Sequence, residues 1–172
     1  DLTTANDGAI ILVAGGTLTL NGGSDTTGLT AAGSGNVRLE ATVGDVTLNA
    51  KVDAGSGYIS VIASGAIDMA AAGDLITTGS GTIDVDAGST LTMVDGATAQ
   101  TADQNIRFTS AGDLTLTGLD AGTASVSLYS TAGSILDAGD TATDVSAANL
   151  RLSAAAVGKG VGSSGNALDI AV

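Results

Sequence analysis

Two aspartates two positions apart, Asp84 and Asp86, are the residues whose type and spacing could support catalysis. A pair of carboxyl groups can serve as acid and base in glycoside hydrolysis. A sugar cleft would also need stacking aromatic side chains and a cationic or metal partner, and only Arg107 is near. The structural interpretation is a charge ladder, in which Asp84 pairs with Arg107 one repeat later. We expect that ladder, with one aspartate facing solvent and Asp86 at a corner, and we predict no catalytic residue and no enzyme.

Composition removes most other chemistries. Without histidine or cysteine the chain can form neither a histidine-based nucleophilic triad nor a thiolate site nor an ordinary zinc site. No glycine-rich phosphate-binding motif lies between a strand and a helix. Calcium stays open because 18 acidic residues are present, but the calcium-binding nonapeptide GGxGxDxUx does not recur. We therefore predict no cofactor and no metal ligand.

Threonines recur at one position of the repeat, namely Thr19, Thr47, Thr92 and Thr115, with Asp68 among them. A regular threonine array is typical of ice-binding solenoids, which present paired threonines on a flat face. Here only one threonine falls in each repeat, and a charge interrupts the column. Threonine is also a good occupant of an exposed strand position, and we favour that interpretation.

Charge and hydropathy limit the partners. The formal net charge of −13 argues against nucleic acid, whose phosphates require a basic surface. It should also weaken side-by-side association at low salt. No apolar run approaches the roughly 18 residues that span a bilayer, so we expect no membrane insertion. The three aromatic residues are few for a globular core of 172 residues, which favours a narrow aliphatic interior.

A repeat of 20 to 27 residues runs through the chain. Each unit opens with two apolar residues two positions apart, the period of a strand with one buried face. The first of these apolar residues are Ile10, Val37, Ile59, Ile83, Ile106, Val126 and Leu150. A second strand starts at Leu18, Val46, Ile67, Leu91, Leu114 and Ile135. A third, weaker strand is marked by Leu29, Val52, Leu75, Leu119 and Val145, and near Ala99 by small residues only.

Three strands per unit predict an all-β fold, a right-handed parallel β-helix with three strands per coil and about seven coils. A helical fold does not fit, because apolar residues recur two positions apart and not three and four positions apart. A two-sheet sandwich would not return the same row of residue types every 23 residues or so. Glycines are expected at the corners, as in Gly33-Ser34-Gly35, Gly55-Ser56-Gly57 and Gly79-Ser80-Gly81, where left-handed backbone angles cost glycine little.

Two segments interrupt the pattern of what we interpret as a single β-helical segment over 1–172. Residues 21–27 are predicted to form a polar loop insertion, and residues 155–167 an irregular segment before a final strand through Leu168 and Ile170. Joined to the start of the chain, the end would read ALDIAVDLTTANDGAIIL, which we interpret as one uninterrupted coil. This junction predicts that the chain is one tile of a longer tandem array.

Several motifs carry a family resemblance: GSGNVRLEA, GDVTLNA, GSGYISVIASGAI, AGDLTLTG, AANLRLSAA and GVGSSGNALDIAV. They resemble the repeats of filamentous haemagglutinin-like exoproteins of Gram-negative bacteria, very large secreted or surface-bound adhesins with a right-handed β-helical shaft. The resemblance covers essentially the whole chain. The lack of cysteine and proline is similar to that family and suits export as an unfolded chain.

The expected function is that of a structural shaft segment in a bacterial extracellular filament or surface adhesin, at the cell surface or outside a Gram-negative cell. Its expected partners are neighbouring copies of the repeat, stacked end to end, while other cells or surfaces would be bound through parts outside this segment. The alternative is a polysaccharide-binding or polysaccharide-degrading β-helix module.

Overall fold

The computed structural model describes residues 1–139 and 141–172 and consists, over those residues, of 21 β-strands joined by turns. In chain order the strands are β1 (Leu2–Thr4), β2 (Ile10–Ala14), β3 (Leu18–Leu20), β4 (Thr27–Ala31), β5 (Val37–Ala41), β6 (Val46–Leu48), β7 (Lys51–Asp53), β8 (Ile59–Ala63), β9 (Ile67–Met69), β10 (Leu75–Ile76), β11 (Ile83–Ala87), β12 (Leu91–Met93), β13 (Thr98–Gln100), β14 (Ile106–Ser110), β15 (Leu114–Leu116), β16 (Gly118–Asp120), β17 (Ser125–Ser130), β18 (Ile135–Asp137), β19 (Val145–Ser146), β20 (Asn149–Ala154) and β21 (Ile170–Ala171).

The strands form three parallel sheets, which together make a β-solenoid of about seven coils. Sheet A has the order β1-β4-β7-β10-β13-β16-β19-β21, sheet B the order β2-β5-β8-β11-β14-β17-β20, and sheet C the order β3-β6-β9-β12-β15-β18. The chain passes through sheets A, B and C in turn, so that β1–β3 form the first coil, β4–β6 the second and so on to the seventh, and each strand pairs with the strand one coil away. The predicted solenoid with three strands per coil is confirmed.

The predicted columns of apolar residues are also confirmed. The leading column, from Ile10 to Leu150, lies in register in sheet B. The second column, from Leu18 to Ile135, lies in register in sheet C. The third forms sheet A, where Ala99 pairs with Leu75 and Leu119. The repeat length therefore determined which residues meet between coils.

One aliphatic core fills the interior between the sheets. Sheet B strands such as Val37–Ala41 bury their first, third and fifth residues, and most sheet C strands bury their first and third. Phe108 is fully buried among aliphatic side chains. Complete burial of one such side chain stabilises the fold by about 1.5–3 kcal/mol. Leu12 and Leu150, in the first and last coils, are only partly buried because each has a neighbouring coil on one side.

Glycines at the corner between sheets A and B serve two different purposes. Gly33 and Gly55 have the expected left-handed backbone, with φ of 67° and 52°. Gly79 does not, so that expectation is wrong at this position: a Cβ there would instead overlap the Cβ of Ser56 one coil below. Close packing also explains a column of glycines one coil apart, namely Gly8, Gly35, Gly57 and Gly81. A Cβ on each of the last three would overlap the carbonyl oxygen of the glycine one coil below. Close approach of the coils is therefore the commoner reason for glycine at this corner.

The two interrupted segments differ in structure. Residues 21–26 contain no strand, whereas Thr27 already belongs to β4, where the register shifts between Thr27 and Leu29. Between β20 and β21 there are only two isolated bridges, and one of them, Ile135 to Val161, extends the sheet C column into the seventh coil. The final strand is shorter than expected and comprises Ile170 and Ala171.

The first and last strands both belong to sheet A. Leu2 pairs with Leu29 at one end, and Ile170 pairs with Val145 at the other. A direct join would therefore place two sheet A strands in succession, without the sheet B and sheet C strands that separate them in every coil. The junction into one uninterrupted coil stays a prediction, and stacking of one coil upon another does not depend on it.

Candidate functional site

Asp84 and Asp86 both lie on the outer face of sheet B, within β11. Positions two apart on a strand share a face, so both point outward instead of only one. Asp86 is not at a corner, because it pairs within the sheet with Ile62 and Thr109. These two details of the sequence prediction are wrong, although the predicted strand and its register are correct.

The ladder between Asp84 and Arg107 is confirmed. Arg107 Nη2 donates a hydrogen bond of 2.6 Å to Asp84 Oδ2 from the next coil, and both side chains are about half exposed. This hydrogen bond is the main reason why the pKa of Arg107 is raised. The other carboxylate oxygen of Asp84 is buried without a hydrogen-bond partner. Asp84 is therefore tied by an ion pair to its neighbour in the next coil.

The threonine column also lies where it was predicted. Thr47 and Asp68 are neighbours in sheet C, as are Asp68 and Thr92, and then Thr92 and Thr115. The five sheet C strands that contain this column are three residues long, with the middle residue pointing outward. Sheet C therefore presents a single column of short polar side chains, and a paired threonine array cannot form on it.

Two shallow grooves lie on the surface away from the aspartate pair. One, of about 290 Å³, crosses sheet A where Gly118 leaves space beside Thr98, Gln100 and Asp120. The other, of about 350 Å³, lies at the corner between sheets A and B in coils two to four. Its lining residues are Ser34, Asn36, Ser56, Gly57, Tyr58, Ser80, Gly81 and Thr82. Hydroxyl and amide groups in these grooves could form hydrogen bonds to a polar ligand.

Many acidic side chains bind the backbone of the next coil. Asp7 Oδ1 accepts hydrogen bonds from the backbone nitrogen and the hydroxyl of Ser34, at 2.7 and 3.0 Å. Among residues 1–139 and 141–172, further interactions between an aspartate and a backbone N–H one coil later join Asp1 to Gly23, Asp45 to Ala66, Asp74 to Thr98, Asp103 to Thr123, Asp113 to Ser134 and Asp144 to Asp169. In each of these contacts the short aspartate side chain spans the spacing between two coils.

These hydrogen bonds shift the acidity of two carboxyl groups. The backbone nitrogen and the hydroxyl of Ser34 lower the pKa of Asp7, and those of Thr123 lower the pKa of Asp103. In both cases the cause is that the donors stabilise the anion. Both aspartates also have left-handed backbone angles, with φ of 65° and 59°. Sequence reasoning missed these interactions because corner positions carry no apolar pattern that reveals their register.

A buried acid at the end of a core column was also missed. Asp137 is 8% exposed and occupies the position that Leu116 fills one coil below. One of its carboxylate oxygens accepts a 2.7 Å hydrogen bond from the Gly139 nitrogen, and the other has no hydrogen-bond partner. The signal was present in the sequence, since every other member of this column is leucine or methionine.

No group of three or more acidic side chains within residues 1–139 and 141–172 is arranged to hold a metal ion. The same residues include no helix that is long and apolar enough to cross a membrane. No protein-family model, curated protein or solved structure matches the chain. The resemblance to filamentous haemagglutinin-like repeats therefore stays a prediction that rests on the motifs.

Proposed function

We propose that this chain is a structural shaft segment of an extracellular filament or surface adhesin of a Gram-negative bacterium. The observation that carries the proposal is the continuity of the three sheets, whose strands pair from the first coil to the last. Only sheet C reaches the seventh coil through a single bridge, at Val161, instead of a strand. Coils about 4.8 Å apart give a rod about 35 Å long. Such a rod transmits force along backbone hydrogen bonds, which is what projecting a distal binding tip requires.

The surface supports this proposal in a second way. Most of the carboxylates described above accept hydrogen bonds from the next coil, and Asp84 pairs with Arg107. Polar groups that would serve as ligands in a binding protein are thus engaged in holding coils together. The resemblance to adhesin repeats adds the extracellular location.

End-to-end stacking is the testable part of the proposal. Around β21 the carbonyl oxygen of Asp169 accepts hydrogen bonds from the backbone nitrogens of Asp144 and Val145, and that of Ala171 accepts one from the nitrogen of Ala147. Residues alternate between neighbours in a parallel ladder, so the N–H and C=O groups of Ile170 point away from the rod. An added coil, from the same polypeptide or from another copy, would pair with them.

The test compares the 172-residue chain with the variant Ile170→Pro. Proline removes the outward N–H and leaves the carbonyls of Asp169 and Ala171 in place. We expect thin unbranched filaments of the unchanged chain in electron microscopy and loss of these filaments in the variant. Val157→Lys is the control, since it adds a charge in the last coil at a fully exposed side chain and should still form filaments. A monomer in analytical ultracentrifugation whose end coils resist hydrogen exchange would overturn the proposal.

A polysaccharide-binding module is the second candidate, and the corner groove with Tyr58 favours it. Tyr58 is 49% exposed and borders hydroxyl groups from three coils. A sugar ring could stack on the phenol ring while these hydroxyls bind its edge. Titration with neutral and acidic oligosaccharides, with Tyr58→Ala compared with Val94→Ala, tests this function. Saturable binding that only Tyr58→Ala abolishes would favour the module over the shaft.

A further inference from the structure

The outer face of sheet B differs from the rest of the surface in its charge. We call its outward side chains the arginine face, because all three arginines of the chain lie there in one column. That column is Ile11, Arg38, Ser60, Asp84, Arg107, Ser127 and Arg151, and the second column is Val13, Glu40, Ile62, Asp86, Thr109, Tyr129 and Ser153.

The arginine face is formally neutral on a strongly acidic rod. Of the 18 acidic and 5 basic residues, 3 of each lie on this face, which leaves 15 acidic and 2 basic residues elsewhere. The whole net charge of −13 therefore belongs to the other surfaces and the corners. Those surfaces repel a second copy, whereas this face does not.

The side chains of the arginine face are also of the types that form protein interfaces. Arginine and tyrosine are enriched at such contacts, and this face carries Tyr129 and the half-buried Ile62. Its strands are five or six residues long, so it presents two outward columns where the sheet C strands with the threonine column present one.

We propose that two copies of this chain pair side by side, in antiparallel orientation, through their arginine faces. The two-fold axis lies in the interface, parallel to the strands and between coils four and five. It places Asp84 of each copy opposite Arg107 of the other. The same axis places Ile62 opposite Tyr129 and Ser60 opposite Ser127, because each of these pairs lies at equal distances from it. The face is therefore complementary to itself.

One contact in this arrangement joins like charges. Arg38 of each copy falls opposite Arg151 of the other. Glu40 lies 2.8 Å from Arg38 and supplies a compensating charge. Arg151 has no ion pair among residues 1–139 and 141–172. In the pair, Glu40 of the other copy becomes its acidic neighbour.

The size of the contact predicts a weak association for one segment. Six overlapping coils about 4.8 Å apart and strands about 16 Å long give about 450 Å² on each copy, or about 900 Å² in total. Contacts below about 1,200 Å² are typical of transient complexes. Acidic side chains at the corners that border the arginine face, such as Asp7, Asp45 and Asp113, oppose the pairing, so association should strengthen as salt screens their charge.

A polyanion is a poorer occupant of the same face. The face is formally neutral, and a long acidic polymer would meet the field of the remaining net charge of −13. A second copy brings its own neutral face and avoids that repulsion.

The test uses two reciprocal variants, Asp84→Arg and Arg107→Asp. Each alone puts like charges at both crossed contacts of a self-pair, so self-association in sedimentation equilibrium should weaken at least tenfold. In an equimolar mixture each crossed contact again joins an arginine and an aspartate, and association should return to that of the unchanged chain. Thr92→Arg, on sheet C, is the control and should associate as the unchanged chain does.

A cross-link identifies the face and the orientation. The chain has no cysteine, so a mixture of Ser60→Cys and Ser127→Cys copies can be oxidised without side reactions. We expect a disulfide-linked dimer of the mixture and little from either variant alone. Failure of the mixed charge variants to associate, or cross-linking of Ser60→Cys with itself in preference, would overturn the proposal. End-to-end filaments that lack this cross-link would leave the shaft function standing and remove the lateral pairing alone.

Discussion

Replacing Gly57 with alanine tests whether close approach of the coils explains the glycine column at the corner between sheets A and B. A Cβ at this position would overlap the carbonyl oxygen of Gly35 and lie 3.0 Å from the backbone nitrogen of Asn36. Both obstacles are backbone atoms, so no side chain can rotate out of the way. The two coils must separate at this corner by about an ångström to restore a normal contact distance.

Three hydrogen bonds near this corner depend on the present spacing. The Ser56 nitrogen donates to the Gly33 oxygen at 2.7 Å, and the Val37 nitrogen donates to the Tyr58 oxygen at 2.9 Å. The third joins the Tyr58 nitrogen to the side-chain oxygen of Asn36 at 3.1 Å. At about 0.5–1.5 kcal/mol each, their loss lowers the free energy of unfolding by about 2–4 kcal/mol.

Urea unfolding followed by circular dichroism measures the effect. With a slope of about 2 kcal/mol per molar urea, the midpoint of Gly57→Ala should fall by about 1–2 M. Gly15→Ala is the matched control, because a Cβ there meets no atom within 4 Å and its backbone is not left-handed. That variant should be neutral or more stable by about 0.4–1 kcal/mol. Equal midpoints for the two variants would refute the close-approach argument.

Three further predictions concern the core, the buried acid and pH. Ile83→Asp places a carboxylate in the aliphatic core and should lower the thermal midpoint strongly, at a cost of about 4 kcal/mol or more, whereas Thr115→Asp on the outer face of sheet C should cost less than about 1 kcal/mol; similar melting would show that the inside and outside assignments are wrong. Asp137→Leu should raise the urea midpoint, by about 1–3 kcal/mol, because leucine continues its column and removes an unpaired buried oxygen, and a lower midpoint would contradict this. The lowered folded-state pKa values of Asp7 and Asp103 give stability that is present above the ordinary aspartate pKa near 3.8 and is lost as the pH falls through the lowered values. The advantage of the unchanged chain over an Asp7→Asn, Asp103→Asn double variant should thus shrink between pH 5 and about pH 2, and an advantage that grew on acidification would be the opposite result.

The sequence predicted the strands because the solenoid makes residues one period apart neighbours. Ile59, Ile83 and Ile106 stack because equal spacing brings them to the same position of successive coils. The contact between Asp84 and Arg107 followed from the same rule. Strand interiors are thus readable from periodicity alone.

Corners could not be predicted in this way. The hydrogen bond from Ser34 to Asp7 joins residues 27 positions apart, whereas the one from Thr123 to Asp103 spans 20. Turn lengths vary between coils, so no fixed offset finds these partners. The same limit applies to LDIAV, because its alternation shows a strand but does not show which of the three sheets that strand joins.

The structural role of the corner aspartates affects how the negative net charge of the chain is interpreted. An aspartate such as Asp45 or Asp113 lies at a corner because its short side chain reaches a backbone N–H of the next coil. The part of the negative charge that these aspartates carry is therefore a consequence of stacking parallel coils and does not by itself indicate a cationic ligand. Outward positions of strand interiors carry no such requirement, because exposed pairs there contribute only about 0–1 kcal/mol. The fold does not dictate that the three arginines share one column of sheet B, so their placement is the feature of this surface that points to a contact with another molecule.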